Sequence, residues 1–213
     1  MAFYIQRSVD DIDWNMRWDY YPPWKDSIRL QSDLSVDALP KEYVANLPQN
    51  IIIKKAEYWP DFQEAGIFFI VTEKAKNALE QLEPNSHEYF KMTVDDKTGT
   101  APDTVFLLRC TNLIQPIIIN RSDVGIQTRP PIEVNGGVIP ARRQMHIANN
   151  ALYPKFVLDR NVIGGRHLWK GVRGGLIVQN FVSNAFKERL DTMKAALRYV
   201  ECQEVDAGPE DLL

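Results

Sequence analysis

The sequence predicts an α+β protein with mixed or antiparallel sheets and few helices, containing two related strand–helix–strand units. Three observations predict it. Apolar runs such as residues 66–71 and 104–108 have the length of strands rather than helices. Two segments carry a helical stripe: Ala75, Ala78, Leu79 and Leu82 in one, and Val182, Phe186, Met193 and Leu197 in the other, with Ala185 and Leu190 beside it. Each stripe lies between strand-like runs, and the two segments match. Ile70-Val71 and Asn77-Ala78-Leu79 are answered by Ile177-Val178 and Asn184-Ala185-Phe186 at one spacing, 107 residues (70 to 177, 77 to 184). Two copies are too few for a solenoid, which needs about three to bury its faces. Internal duplication within one α+β domain fits better than chance likeness.

From the N-terminus, residues 2–7 form an opening strand with Phe3 and Ile5 on one face and Tyr4 and Gln6 on the other. An aromatic cluster follows, Trp14, Trp18, Tyr20, Tyr21 and Trp24, and Pro22-Pro23 ends any helix begun before it. Ser32-Asp33-Leu34-Ser35 and Pro40 mark loops, and Ile51-Ile52-Ile53 is a short strand. The first unit comes next, with Tyr89-Phe90-Lys91-Met92-Thr93-Val94 as its second strand. A turn at residues 95–100, a strand over 104–110 and a strand or extended connector over 115–119 lead into residues 120–140. That stretch has Pro130-Pro131, Gly136-Gly137 and little periodicity, so an irregular excursion between the copies is expected. The second unit opens with Phe156-Val157-Leu158-Asp159 and turns at Gly164-Gly165 and again at Gly174-Gly175. Leu176-Ile177-Val178 runs into a helical pattern over residues 181–197, and residues 198–202 close the unit as a strand. The tail beyond Val205 is acidic and is expected to fray. These signals divide the chain into an acidic, aromatic-rich lobe over residues 1–64 and an α+β core over residues 65–213, within one compact structure overall.

Composition bounds the class. The chain has 213 residues, 45% hydrophobic and 25% charged, ordinary for a globular protein with room for one large core or two small ones. No run approaches the ~18 apolar residues of a membrane-spanning helix. The opening residues lack the apolar stretch and cleavage site of an export signal. Cys110 and Cys202 stand at strand ends, as core thiols in a reducing compartment do, rather than as a disulfide framework. A cytoplasmic location is therefore expected. The net charge of −3 hides an asymmetry: residues 1–64 carry 7 basic and 11 acidic side chains, whereas residues 121–175 carry 9 and 3. Such a division either steers a charged partner or balances itself internally.

Candidate chemistry is sparse. His146 and His167 lack the paired spacing of a zinc site, and with Cys110 and Cys202 they form no recognisable ligand motif. The glycines around 164–175 match neither a dinucleotide nor a P-loop fingerprint, and no nucleophile elbow surrounds Ser8, Ser122 or Ser183. Asp10-Asp11-Ile12-Asp13 lacks the glycine and terminal glutamate of a calcium loop and reads as a solvated turn. No cofactor and no metal are expected, and no catalytic residue is assigned. The arginines and lysines of residues 121–175, with Tyr153 and Trp169 interleaved, leave nucleic-acid binding as an alternative, beside a small enzyme of unknown activity. No RRM, KH or helix-turn-helix pattern accompanies them.

The order of steps in residues 153–205 resembles the C-terminal half of a family of bacterial immunity proteins attached to polymorphic-toxin systems, first grouped around a Myxococcus protein. The shared steps are the hydrophobic–Leu158-Asp159 strand end, the Gly164-Gly165 turn, the strand with Trp169, a strand-to-helix step and a final aromatic–hydrophobic strand at Tyr199-Val200. Gln179-Asn180 replaces the usual serine of the strand-to-helix step. The resemblance implies a protein that binds a cognate toxin encoded by a neighbouring gene and neutralises it by occluding its active site, without enzymatic activity. An acidic, aromatic surface suits a basic nuclease-like partner. The residues assigned to it are Asp10, Asp11, Asp13, Trp14, Trp18, Asp19 and Trp24. Core packing of the tryptophans and solvation of the aspartates compete with that assignment.

Overall fold

The computed structural model describes residues 1–7, 17–21, 44–45, 47–55, 58–65, 68–134, 137–139, 142–147, 153–173, 176–195 and 197–211. It is an α+β fold built largely of sheet, as the sequence predicts.

Among these residues the first unit comprises β3 (Asn50–Lys55), β4 (Phe62–Ala65), β5 (Phe68–Val71), helix α1 (Glu73–Glu80), β6 (Glu88–Asp96) and β7 (Thr104–Arg109). Strands β5 and β6 both pair antiparallel with β7, which lies between them, while β3 runs parallel to the far side of β6 and β4 antiparallel to β5. Strand β2 (Arg17–Tyr21) adds to β3, giving the order β2-β3-β6-β7-β5-β4. The second unit repeats this plan with β13 (Val157–Asp159), β14 (Leu168–Arg173), β15 (Leu176–Ser183), helix α3 (Asn184–Asp191) and β16 (Leu197–Val205). Its central strand is not the next segment of chain but β1 (Ala2–Arg7), which pairs antiparallel with both β15 and β16. Strand β13 runs parallel to β16 as β3 does to β6, and β8 (Leu113–Ile114) adds to β14. The order is β13-β16-β1-β15-β14-β8. The boundary drawn at residue 64 lies within β4, which pairs with β5, and the opening strand of the N-terminal lobe lies in the sheet of the last strand.

The duplication has a different spacing from the one the residue letters suggest. Thr72 and Ser183 are the N-caps of α1 and α3, and the buried Ala75 and Leu79 of α1 correspond to Phe186 and Leu190 of α3. The spacing is 111 residues (72 to 183, 75 to 186, 79 to 190), one helical turn longer than the apparent 107. Strand β15 has eight residues and β5 four, so Ile177-Val178 begins its strand where Ile70-Val71 ends its own. The helical pattern expected over residues 181–197 shrinks to Asn184–Asp191 for the same reason: residues 181–183 finish β15, and Leu197 starts β16. Ser183 Oγ accepts the amide of Phe186 at 3.2 Å, fixing the start of the helix. A further correspondence confirms the spacing. Lys76 lies over the rings of Tyr89 (5.2 Å) and Phe106 (5.4 Å), and Lys187 over those of Tyr199 (5.2 Å) and Phe3 (5.4 Å).

Strand alternation sorts the core into three parts. Phe3 and Ile5, Phe69 and Val71, Leu108, Leu168 and Val182 meet Ala75, Leu79, Phe186 and Leu190 in a core shared by both units. The opposite faces pack separately: Ile51, Ile53, Phe68, Ile70 and Leu107 with Leu47 and Trp59, and Ala2, Tyr4, Trp169 and Phe181 with Ile117, Phe156 and Ile163. Both sheets are thus buried on two sides, each large side chain contributing about 1.5–3 kcal/mol. Backbone bonds join the units directly, with Asp61 donating to Lys194 at 2.6 Å and Lys170 to Asn112 at 2.9 Å.

Residues 115–119 form no ladder strand; Ile117 makes one bridge to Leu158 before a short 3-10 turn, Ile119–Arg121. Residues 120–140 are not the irregular excursion expected. They hold strands β9 (Val124–Arg129), β10 (Ile132–Val134) and β11 (Gly137–Ile139), with β12 (Arg142–Ile147) returning antiparallel to β9 and β11 to β10. The alternation of Val124, Ile126, Ile132 and Val134, and the hairpin-favouring Asn135-Gly136 between the paired Val134 and Gly137, are the signals that mark them. A four-residue helix α2 (Arg160–Ile163) fills the turn after β13, capped by Asp159 and ended by Gly164 in the left-handed conformation.

Candidate functional site

Polar chemistry concentrates where the two units meet. Glu83 follows α1 and is buried, its carboxylate accepting from Asn112 Nδ2 at 2.9 Å and the amide of Leu168 at 2.9 Å, with the ring of His87 at 3.1 Å. Burial alone would push this carboxyl up, but the hydrogen bonds, led by that of His87, outweigh it and hold it below the ordinary glutamate range. Arg109 is buried against Glu88 at 2.8 Å. Glu64 and Lys170 stand two residues into β4 and β14, equivalent positions with opposite charge, and Asn180 donates to Glu64 from β15. Lys170 lies 5.1 Å over the ring of Phe69, and burial draws its ammonium down to about 8 against the opposing influence of Cys110 and Glu64.

This junction contains catalytic residue types but is closed. The His87 side chain is 0% exposed, and the Glu83 carboxylate is occupied by three donors that belong to the fold. Burial pushes both thiols, Cys110 and Cys202, up to about 12, so they stay protonated and unreactive. Ser183 has a partner that the linear sequence conceals: the β14–β15 pairing brings His167 Nδ1 to 2.7 Å from its hydroxyl. The equivalent pair in the first unit is Asp61 and Thr72, also at 2.7 Å. A helix-cap tie present in both units, once without any histidine, is a structural device rather than a nucleophile–base pair. Among the described residues no group of three His, Cys, Asp or Glu is placed to hold a metal ion.

The assigned acidic, aromatic surface is placed in part. Trp18 and Asp19 lie on β2, opposite Ile53 and Ile52, at one edge of the first unit's sheet. Asp10, Asp11, Asp13, Trp14 and Trp24 lie outside the described residues. The basic stretch is dispersed. Arg121 pairs with Asp211 at 3.3 Å and Arg160 with Asp206 at 3.1 Å, so the acidic tail balances part of it, and Arg166 bonds the carbonyls ending α2. Trp169 is 0% exposed and stacked on Phe181 at 5.8 Å, which removes it as a platform for bases, whereas Tyr153 is 52% exposed.

Among the described residues the polar cluster at this junction is closed within the fold. A model of an immunity protein family, Imm11, matches residues 7–206, nearly the whole chain. The chain belongs to the Imm11 immunity protein family. The match extends the resemblance seen at residues 153–205 through the first unit as well. No curated protein matches this Imm11 chain. Membership implies toxin neutralisation in general, and with it the binding of a cognate toxin. Among the described residues of this Imm11 protein no helix is long and apolar enough to cross a membrane.

Proposed function

We propose that this protein neutralises a toxin acting in the cytoplasm, encoded by a neighbouring gene in an interbacterial competition system, by covering the toxin's active site. The observation that carries the reading is the family match over residues 7–206. The closed state of every polar cluster described above supports a stoichiometric binder with no turnover of its own, since occlusion needs a complementary surface and no catalytic group. The contact we assign to the acidic segment runs through Asp10, Asp11, Asp13, Trp14, Trp18, Asp19 and Trp24, and it suits a basic toxin domain.

Co-expression tests it. Cells making the neighbouring toxin in the cytoplasm are expected to die without this protein and to grow with it, and the two are expected to co-purify. A toxin harmless in the cytoplasm but lethal once exported, or rescue only after a signal peptide is fused before Met1, would reject the cytoplasmic reading. Asp11→Lys with Asp13→Lys is expected to slow association more than it speeds dissociation; an unchanged association rate would move the contact away from this segment.

A further inference from the structure

Residues 206–211, which the sequence leads one to expect frayed, are fastened. Pro209–Asp211 form a second 3-10 turn. It closes on itself, the Asp211 amide donating to the Gly208 carbonyl at 3.0 Å and the Gly208 amide to Asp211 Oδ2 at 3.0 Å. Arg121 Nη1 donates to the same oxygen at 3.3 Å, and Asn120 Nδ2 donates to the Glu210 carbonyl at 3.2 Å. Asn120 and Arg121 belong to the 3-10 turn Ile119–Arg121, so one turn is docked on the other. Upstream, Arg160 pairs with Asp206 at 3.1 Å. The two ties differ in exposure. The Arg160 and Asp206 side chains are 55% and 68% exposed, a pair that water and salt screen. The Asp211 side chain is 2% exposed, so its bonds to Gly208 and Arg121 are the stronger fastening.

The turn that receives them is the root of β9. On its inner side Ser122 Oγ donates to the Ile118 carbonyl at 2.7 Å and accepts the Val157 amide at 2.9 Å, and the Asp123 amide donates to the Lys155 carbonyl at 2.8 Å. Val124, the first residue of β9, is 7% exposed and packs in the third core with Ile117 and Ile163. Among the described residues β9 and β12 pair only with each other, so no ladder ties them to a larger sheet. A 3-10 turn has poorer hydrogen-bond geometry than an α-helix, and its order depends on what packs against it. What holds the turn from outside is residues 206–211.

We infer that residues 206–211 are a strap that clamps the turn Ile119–Arg121 and so fixes the root of β9, and whose release loosens β9 and β12 while both large sheets stay intact. The family match ends at residue 206, so all but the first residue of the strap lies beyond the matched pattern. Its action is independent of what the protein binds.

Hydrogen exchange of the full-length protein, followed amide by amide by NMR, tests this. In Asp211→Ala the amides of Arg121, Ser122, Asp123 and Val124 and those of β9 are expected to exchange about tenfold faster than in the wild type. Those of β1, β7 and β15 are expected to stay within about twofold. Arg121→Ala is expected to act on the same amides, and the double variant to add nothing beyond Asp211→Ala alone. In the wild type, the amides of Gly208 and Asp211 are expected to exchange at least about tenfold slower than in a free peptide, a measurement that stands even if a variant fails to fold. Unchanged exchange over residues 121–129 in Asp211→Ala makes these residues a passenger and overturns the strap. Faster exchange spread evenly over both sheets makes them part of the cooperative core and overturns it too. So do additive effects of the two substitutions, or Gly208 and Asp211 amides that exchange at free-peptide rates.

Discussion

At the scale of single residues, the buried junction makes sharp demands on pH and on size. Removing Glu83 leaves the His87 ring, Asn112 and the amide of Leu168 without their acceptor, and Glu83→Ala is expected to cost about 3 kcal/mol, read from denaturant unfolding. Because its folded carboxyl titrates below the ordinary glutamate value of about 4.3, its contribution is complete above that value and is lost as pH falls through the folded one. Lys170 works the other way. Its folded form gives up a proton near 8, so from there to the ordinary lysine value the unfolded chain holds more protons and stability rises with pH. The gap in urea midpoint between wild type and Lys170→Met is expected to move in favour of the wild type between pH 8 and pH 10; a constant gap would mean that Lys170 titrates normally. Gly171 stands where β14 bulges, and a Cβ there would meet the Phe181 ring at 2.9 Å. That ring is held between Trp169 and Phe156, so Gly171→Ala is expected to cost about 1–3 kcal/mol and lower the thermal midpoint by several degrees.

At the scale of elements, the two helices share a position but not a cap. Ser183 receives the Phe186 amide, whereas the Thr72 side chain takes no amide of α1 and donates to Asp61 instead. Ser183→Ala is therefore expected to destabilise by about 1 kcal/mol through loss of the cap. Thr72→Ala is expected to act through the Asp61 contact, so a Thr72→Ala and Asp61→Ala cycle should show coupling and a Ser183→Ala and Asp61→Ala cycle should not, both measured by denaturant unfolding. The paired segment of β9 to β12 is the element most easily misread from sequence. Its prolines interrupt the alternation at 130–131, so the pattern divides into runs too short to stand out, although the register continues across them.

At the scale of the whole molecule, β1 occupies in the second unit the place that β7 occupies in the first, and its start lies beside the end of β16: Ala2 pairs with Cys202, and the terminal amine lies 3.2 Å from Glu204. A permutant with residues 1–7 moved behind Val205 would restore the strand order of the first unit. It is expected to fold with a thermal midpoint within a few degrees of the parent, while simple deletion of residues 1–7 removes a central strand and is expected to abolish cooperative unfolding. A permutant without secondary structure would show that the link from β1 onward, and not its place in the sheet, is what the fold requires.

The sequence by itself determined whatever depends on neighbours along the chain: the strand character of residues 2–7, 51–53 and 104–108, the presence of two strand–helix–strand units, and enough of the family pattern at residues 153–205 for recognition. Only the tertiary structure decided what depends on residues far apart. The spacing of the duplication moved by one helical turn because strand length, not residue identity, sets where each helix begins. The pairing of Ser183 with His167 and the occupation of Glu83 by Asn112 and Leu168 arise from strand registers that no local signal records. The basic stretch read as one stripe because adjacency in sequence was its only measure. Folding sends Arg121 and Arg160 to the acidic tail, buries Lys170 and sets Arg142 opposite Arg129 but Arg143 opposite Thr128, because strand registers rather than the order of the chain decide which residues become neighbours.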